Sequence, residues 1–219
     1  MICTVVADSE VAHIRELLRQ AEMAEIRIDL ARLGRTQVAD IFASHPRLIA
    51  TCRPGHFADS ERLELLLTAV ESGAAWVDVE MDAPLHLRRA LRAAAKRSGC
   101  RLIVSFHDFA KTPGQGELTC LAHRCQRNGA DLVKIACLTR TPAEVVRVLA
   151  LYDKRYGPSG RMLALGMGRL GVITRLAAPL FGAPFTFAAA DGEAGTAPGQ
   201  LERPVMEQIM RWLDARERS

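Results

Sequence analysis

The sequence predicts an α/β protein, a single (β/α)8 TIM barrel with parallel strands, on three observations. Short apolar strand-like stretches alternate with helix-like stretches eight times, and four of the helix-to-strand connections carry a glycine. No Gly-x-Gly-x-x-Gly follows the first strand, which argues against a doubly wound open sheet, the alternative fold. At 219 residues the chain is slightly short for a barrel and is read as one domain over 1–219.

The first unit is expected at Ile2–Ala7 and Glu10–Ala21, the helix being opened by the capping-type pair Asp8-Ser9. Glu25–Leu30 and Thr36–Ser44 form the second, Leu48–Arg53 and Ser60–Ser72 the third. Trp76–Glu80 and Pro84–Ser98 follow, with Pro84 suited to a first helical turn. Arg101–His107 with Gly116–Asn128, Asp131–Ala136 with Pro142–Tyr156, Arg161–Gly166 with Gly168–Ala177, and Pro184–Ala188 with Leu201–Glu217 complete the ring. Gly73, Gly99, Gly129 and Gly157 lie where a left-handed residue ends a helix.

Composition narrows the function classes. The chain is 49% hydrophobic and 25% charged with a net charge of +4, its basic residues are spread among acids, and aromatics reach only 5%. That excludes a basic, aromatic nucleic-acid surface. No apolar run could span a bilayer and Met1–Asp8 lacks the flank of a signal peptide, so a cytoplasmic protein is expected. The six cysteines contain no Cys-x-x-Cys pair. Cys120, His123 and Cys125 fall together in a helix, but position 125 points away from the other two, so no metal site is expected there.

Chemistry is signalled by one lysine. In Asp131-Leu-Val-Lys-Ile-Ala136 strand alternation puts Leu132, Lys134 and Ala136 on one side, so an ammonium lies in an otherwise apolar strand. Burial favours the neutral amine, the form that attacks a carbonyl to give a Schiff base. On local sequence alone the other reading is a strand-end lysine that reaches solvent or pairs with an acid. The other strands decide between them. Glu25, Arg27 and Asp29 share a parity, as do Asp78 and Glu80, Thr51 and Arg53, and Ser105 and His107. The branched apolar residues between them would face the helices, which leaves the polar set converging inside the barrel. Four acids there (Glu25, Asp29, Asp78, Glu80) against three bases (Arg27, Arg53, Lys134) fit a paired network around a small polar substrate; salt bridges that only satisfy one another are the alternative.

Barrel sites lie at the carboxyl ends of strands. His107 ends the fifth and suits proton transfer. Arg175, opening the seventh helix, could hold a carboxylate in bidentate fashion, or be a surface arginine. Ala190–Gln200 is a long glycine-containing loop expected to close as a lid, with Thr196 and Gln200 as its polar contacts.

With these residues in place the chain resembles the type I 3-dehydroquinate dehydratases (3-dehydroquinases) of the shikimate pathway of aromatic amino acid biosynthesis. The resemblance runs from the first strand to the last helix and is carried by Glu25-Ile-Arg-Ile-Asp29, Thr51-Cys-Arg53, Val77-Asp-Val-Glu80, Ser105-Phe-His-Asp-Phe109, Val133-Lys-Ile-Ala136, Met167–Arg175 and Thr196–Gln200. It implies dehydration of 3-dehydroquinate to 3-dehydroshikimate, a hydro-lyase reaction needing no metal or organic cofactor, in a homodimer. It implies Lys134 as the Schiff-base lysine and His107 as the proton shuttle. Arg175 would hold the substrate carboxylate, Glu25 and Arg27 the ring hydroxyls; Arg53 would complete the polar wall, Met167 would pack against the ring, and Thr196 and Gln200 would come with the lid. The family usually carries Glu-Gly-Gly in the loop after the third strand; here Arg53 is followed by Pro-Gly-His-Phe-Ala-Asp-Ser60 and that acid is missing. Asp78 or Glu80, of interior parity on an adjacent strand, is expected to replace it. Two other functions remain open: a class I aldolase-type Schiff-base barrel, and a non-catalytic relative that binds a shikimate-type ligand.

Overall fold

A computed structural model describes residues 1–158, 160–193 and 195–216, with side chains through residue 213. The strands are β1 (Ile2–Val6), β2 (Met23–Arg27), β3 (Leu48–Thr51), β4 (Trp76–Glu80), β5 (Arg101–Asp108), β6 (Leu132–Leu138), β7 (Met162–Met167) and β8 (Thr186–Ala189). Between them run α1 (Val11–Gln20), α2 (Ile28–Ala31), α3 (Arg35–Ser44), α4 (Asp59–Glu71), α5 (Leu85–Ser98), α6 (Gln115–Arg127), α7 (Pro142–Ala150), α8 (Val172–Ala177) and, after β8, α9 (Arg203–Arg216). Every ladder is parallel, in the order β7-β6-β5-β4-β3-β2-β1-β8, so the eight strands make a nearly closed barrel, as the alternation predicts. No helix among the described residues is long and apolar enough to cross a membrane.

Between β7 and β8 no ladder forms among the described residues. Side chains and the lid close this seam instead. The Tyr152 hydroxyl accepts from the Ala164 amide (2.9 Å) and donates to the Ala164 carbonyl (3.1 Å), filling a ladder position on β7. Thr186 Oγ1 donates to the Arg175 carbonyl at 2.8 Å, tying β8 to α8. The Gly168 amide donates to Pro198 of the lid at 2.9 Å. Gly199 packs there with φ 76°, and a Cβ on it would lie 2.3 Å from the Gly168 carbonyl oxygen, so only glycine lets the lid approach.

Two apolar cores follow from strand alternation. Residues such as Val6, Ile26, Ala50, Val79, Val104, Val133 and Ile135 pack outward against the helices. Cys3, Met23, Ile49, Trp76, Ile103, Leu132, Leu163 and Phe185 fill the amino-terminal end of the barrel interior. Above that plug the interior turns polar.

Several expected boundaries move, each for a local reason. β2 stops at Arg27, the last residue with a β3 partner (Thr51); beyond it the backbone satisfies itself in the single turn α2, so Asp29 is not a strand residue. α1 begins at Val11, one residue after the expected start, with Glu10 at the cap and its amide donating to Asp8 Oδ1 at 2.6 Å. α7 ends at Ala150, six residues before the expected Tyr156, because Leu151, Tyr152 and Asp153 tighten into three-residue turns that carry Tyr152 to the seam. Gly73, Gly99 and Gly129 have the expected positive φ, but Gly157 does not; it is small because a Cβ would lie 2.0 Å from the Leu151 carbonyl oxygen. Of the expected last helix, Glu217 lies outside the described residues.

Candidate active site

The carboxyl ends of the strands enclose a cavity of about 330 Å3, into which Glu25, Arg27, Arg53, Glu80, His107, Lys134, Met167, Arg175, Thr196 and Gln200 all project. Asp78 lies beneath its floor with 2% of its surface exposed. Every residue singled out in the sequence as touching substrate therefore reaches one chamber.

At the floor, Lys134 is 6% exposed, and its Nζ sits 3.1 Å from Asp78 Oδ2 and 3.2 Å from Glu25 Oε1, over the Phe187 ring at 4.2 Å. Lys134 therefore sits between two carboxylates, one from β2 and one from β4, the pairing that the balance of inward strand charges predicts. Asp78 also accepts from Arg53 Nη2 at 2.9 Å and from the Ser105 hydroxyl at 2.6 Å, and Ser105 in turn accepts from Arg53 Nη1 at 3.0 Å. Burial works against its ionisation, but Arg53, Lys134 and the Ser105 hydroxyl outweigh burial and hold the carboxyl well below its usual range. Thr51 donates to Glu25 Oε1 at 2.8 Å, fixing the other carboxylate.

His107 stands one strand over. Ser105 pairs with Lys134 and His107 with Ala136, so the imidazole springs from two residues farther up, about 6.6 Å at about 3.3 Å per residue. Its ring stacks on Phe109, centroids 6.2 Å apart. Burial, then Arg53, then Lys134 push its pKa well below the usual imidazole range, with Asp78 opposing. A histidine so placed rests neutral at pH 7.

The walls differ in how they are paired. Arg27 is held by Asp29 through two hydrogen bonds of 2.7 and 3.1 Å. Arg175 is 3% exposed, its Nε has no hydrogen-bond partner among the described residues, and burial alone pushes its pKa down to about 10. A buried guanidinium without an anion is costly, and this one faces the cavity. In the lid, Gln200 Oε1 accepts from the Thr196 amide at 2.9 Å and from its hydroxyl at 3.3 Å, which leaves the Gln200 amide nitrogen to donate into the chamber.

Sequence reading missed Phe187 and Phe109 as cavity-lining residues. Phe187 was detectable in principle, since Phe185 and Phe187 alternate with Thr186 and Ala188 along the last strand. Among the described residues one grouping has metal-ligand chemistry, Asp8, His13 and Glu193, and none of the three lines the cavity. Cys120 is exposed on α6 and Cys125 buried, as expected for residues on different faces.

The family model for type I 3-dehydroquinase matches residues 2–217. The chain belongs to the type I 3-dehydroquinase family. It is 32% identical to the 3-dehydroquinate dehydratase of Methanococcus maripaludis strain C5 over 225 residues, covering 98% of this chain and all of that relative. With the enzyme of Dehalococcoides mccartyi it shares 31% over 216 residues, 96% of this chain and 94% of the relative. The crystal structure of the Geobacillus kaustophilus dehydratase superposes with a TM-score of 0.84 at 25% identity, covering 98% of this chain and 91% of that one. The Aquifex aeolicus dehydratase gives 0.81 at 23%, over 97% and 98%.

Against this type I 3-dehydroquinase background the loop after β3 stands out, because the residues from Pro54 to Ala58 bring no carboxylate to the cavity. Of the two acids expected in its place, Asp78 is the one whose charge acts on His107, whereas Glu80 is engaged by Arg53 and Arg62.

Proposed function

We propose that this chain converts 3-dehydroquinate to 3-dehydroshikimate through a Schiff base on Lys134, with no metal or organic cofactor. The observation that carries this reading is a buried lysine sharing one chamber with a neutral imidazole and with Arg175, a buried cation whose Nε has no hydrogen-bond partner among the described residues. Family membership supplies the substrate: a small ring bearing a ketone, hydroxyls and a carboxylate, groups that Lys134, Glu25 with Arg27, and Arg175 would respectively engage.

The steps follow from charge. His107 relieves the Lys134 ammonium of its proton, the amine adds to the ring ketone, and the imidazolium returns that proton to the carbinolamine hydroxyl, which leaves as water as the iminium forms and His107 becomes neutral again. The iminium draws electrons from the neighbouring C–H, so the imidazole can remove that proton and pass one to the departing hydroxyl. Water then hydrolyses the iminium, freeing Lys134 and an enone; over the cycle one water is lost. Asp78 holds the lysine and Arg53 at the right separation and offsets part of the positive field on His107, the work a loop glutamate does elsewhere in the family. Arg53 completes the wall, Met167 packs against the ring, and Thr196 and Gln200 close above it.

As proposals of the same standing, residues 1–219 form one barrel domain, and the enzyme works in the cytoplasm as a homodimer, which light scattering would read as twice the chain mass. The activity is tested by mixing purified protein with 3-dehydroquinate and following the ultraviolet absorbance of a conjugated enone. Enone growth is the expected result; carbon–carbon cleavage fragments would point to aldolase chemistry, and unchanged substrate to a binding protein.

A further inference from the structure

We propose that Arg62 is a positioning residue, one that braces the shortened third loop and, through Glu80, sets where Arg53 stands in the cavity wall. The proposal rests on the dehydratase reading above. Arg62 lies on α4, is 3% exposed and does not line the cavity. Its Nε donates to the Cys52 carbonyl at 3.1 Å, its Nη1 to Asp59 at 2.7 Å, and its Nη2 to Glu80 Oε2 at 3.1 Å. Cys52 directly precedes Arg53 and Asp59 is the first residue of α4, so a single guanidinium clips together both ends of the loop. Its third contact reaches β4. The other oxygen of Glu80 is 3.6 Å from Arg53 Nη1, and Arg53 is the cation that grips Asp78 and Ser105.

Stability alone does not account for such a residue, since a buried ion pair is commonly replaceable by apolar side chains at little cost. What an apolar residue cannot do is bond three acceptors at once, one just after β3, one on α4 and one on β4. Glu80 depends on that span. It faces Arg53 from the loop after β3, Arg62 from α4, and the like charges of Asp78 and Asp82; burial raises its pKa, and the two guanidiniums work against that rise. Remove Arg62 and Glu80 takes up a proton at higher pH, after which it no longer anchors Arg53.

The test compares wild type, Arg62→Met, Glu80→Gln and the double variant by KM, kcat and pH profile, with melting curves to confirm folding. The expected result for folded Arg62→Met is a KM for 3-dehydroquinate raised about 10-fold, a smaller fall in kcat, and an acid limb of kcat/KM moved to higher pH. Adding Glu80→Gln should raise KM by less than about 2-fold more and abolish the moved limb, because the two residues act in series. Should Arg62→Met not fold, Arg62→Lys serves: one ammonium cannot reach three acceptors, and KM should rise about 3-fold in the same direction. KM and acid limb unchanged in a folded variant, or KM effects of Arg62→Met and Glu80→Gln that multiply as independent changes, would overturn the proposal while leaving an active enzyme. A wild type without dehydratase activity would overturn both readings together.

Discussion

The two halves of the barrel interior are built on the same strands with the same alternation, yet they carry opposite chemistry. Toward the amino-terminal end, Cys3, Met23, Ile49, Trp76, Ile103, Leu132, Leu163 and Phe185 form a dry plug. Two residues farther along, the inward positions become Val5, Glu25, Thr51, Asp78, Ser105, Lys134 and Phe187. The plug contributes stability and nothing to chemistry. The layer above it concentrates charge that folding by itself does not require, which marks that layer as the site of function.

Substitutions should separate the halves cleanly. The largest effect is expected for Lys134→Met, which removes the nucleophile and should lower turnover by on the order of 10^4-fold or more while the far-ultraviolet circular dichroism stays native. His107→Gln comes next, with a loss of about 10^2- to 10^4-fold in kcat. Ile103→Ala, one turn of the pleat below, should do the reverse. It costs about 2–5 kcal/mol of stability by urea unfolding, with activity per folded molecule close to wild type.

Arg175→Met tests the orphaned cation. KM should rise about 10^2-fold, yet the melting temperature should climb, because a buried charge without a counter-ion is removed; a fall in melting temperature would mean that the guanidinium is paired in solution.

The smallest effects lie in pH dependence. The His107 pKa is lowered on folding, so the unfolded chain binds the proton first and stability falls as pH drops below about 6.5; His107→Gln should flatten that slope. The Asp78 carboxyl is also lowered, so its contribution is present above about pH 4 and lost as pH falls through the native value; Asp78→Asn should remove that dependence. Unfolding free energies measured across pH read both.

Much of this was legible in the sequence, since alternation is a rule of the backbone and holds wherever a ladder continues. It places Glu25, Arg27, Thr51, Arg53, Asp78, Glu80, Ser105, His107 and Lys134 on the inward face. It failed where the ladder ends. Asp29 keeps the period-two pattern but leaves the strand, because pairing with β3 stops two residues earlier, at Arg27. Contacts between residues distant in sequence were also out of reach: Tyr152 at the β7 edge, Phe187 under the ammonium, and Arg62 spanning three elements each depend on packing that local pattern does not encode. Lys134 shows the same limit: alternation puts Glu25 and Asp78 on its face, but only packing shows that both reach its Nζ, from 109 and 56 residues away in sequence.

The account turns on a covalent bond between Lys134 and the substrate ketone, and borohydride trapping reads it directly. Protein incubated with 3-dehydroquinate and borohydride, then digested and weighed, should carry a stable adduct on the peptide containing Lys134, and Lys134→Met should carry none. Enone formation without any adduct, or an adduct on a different lysine, would contradict it.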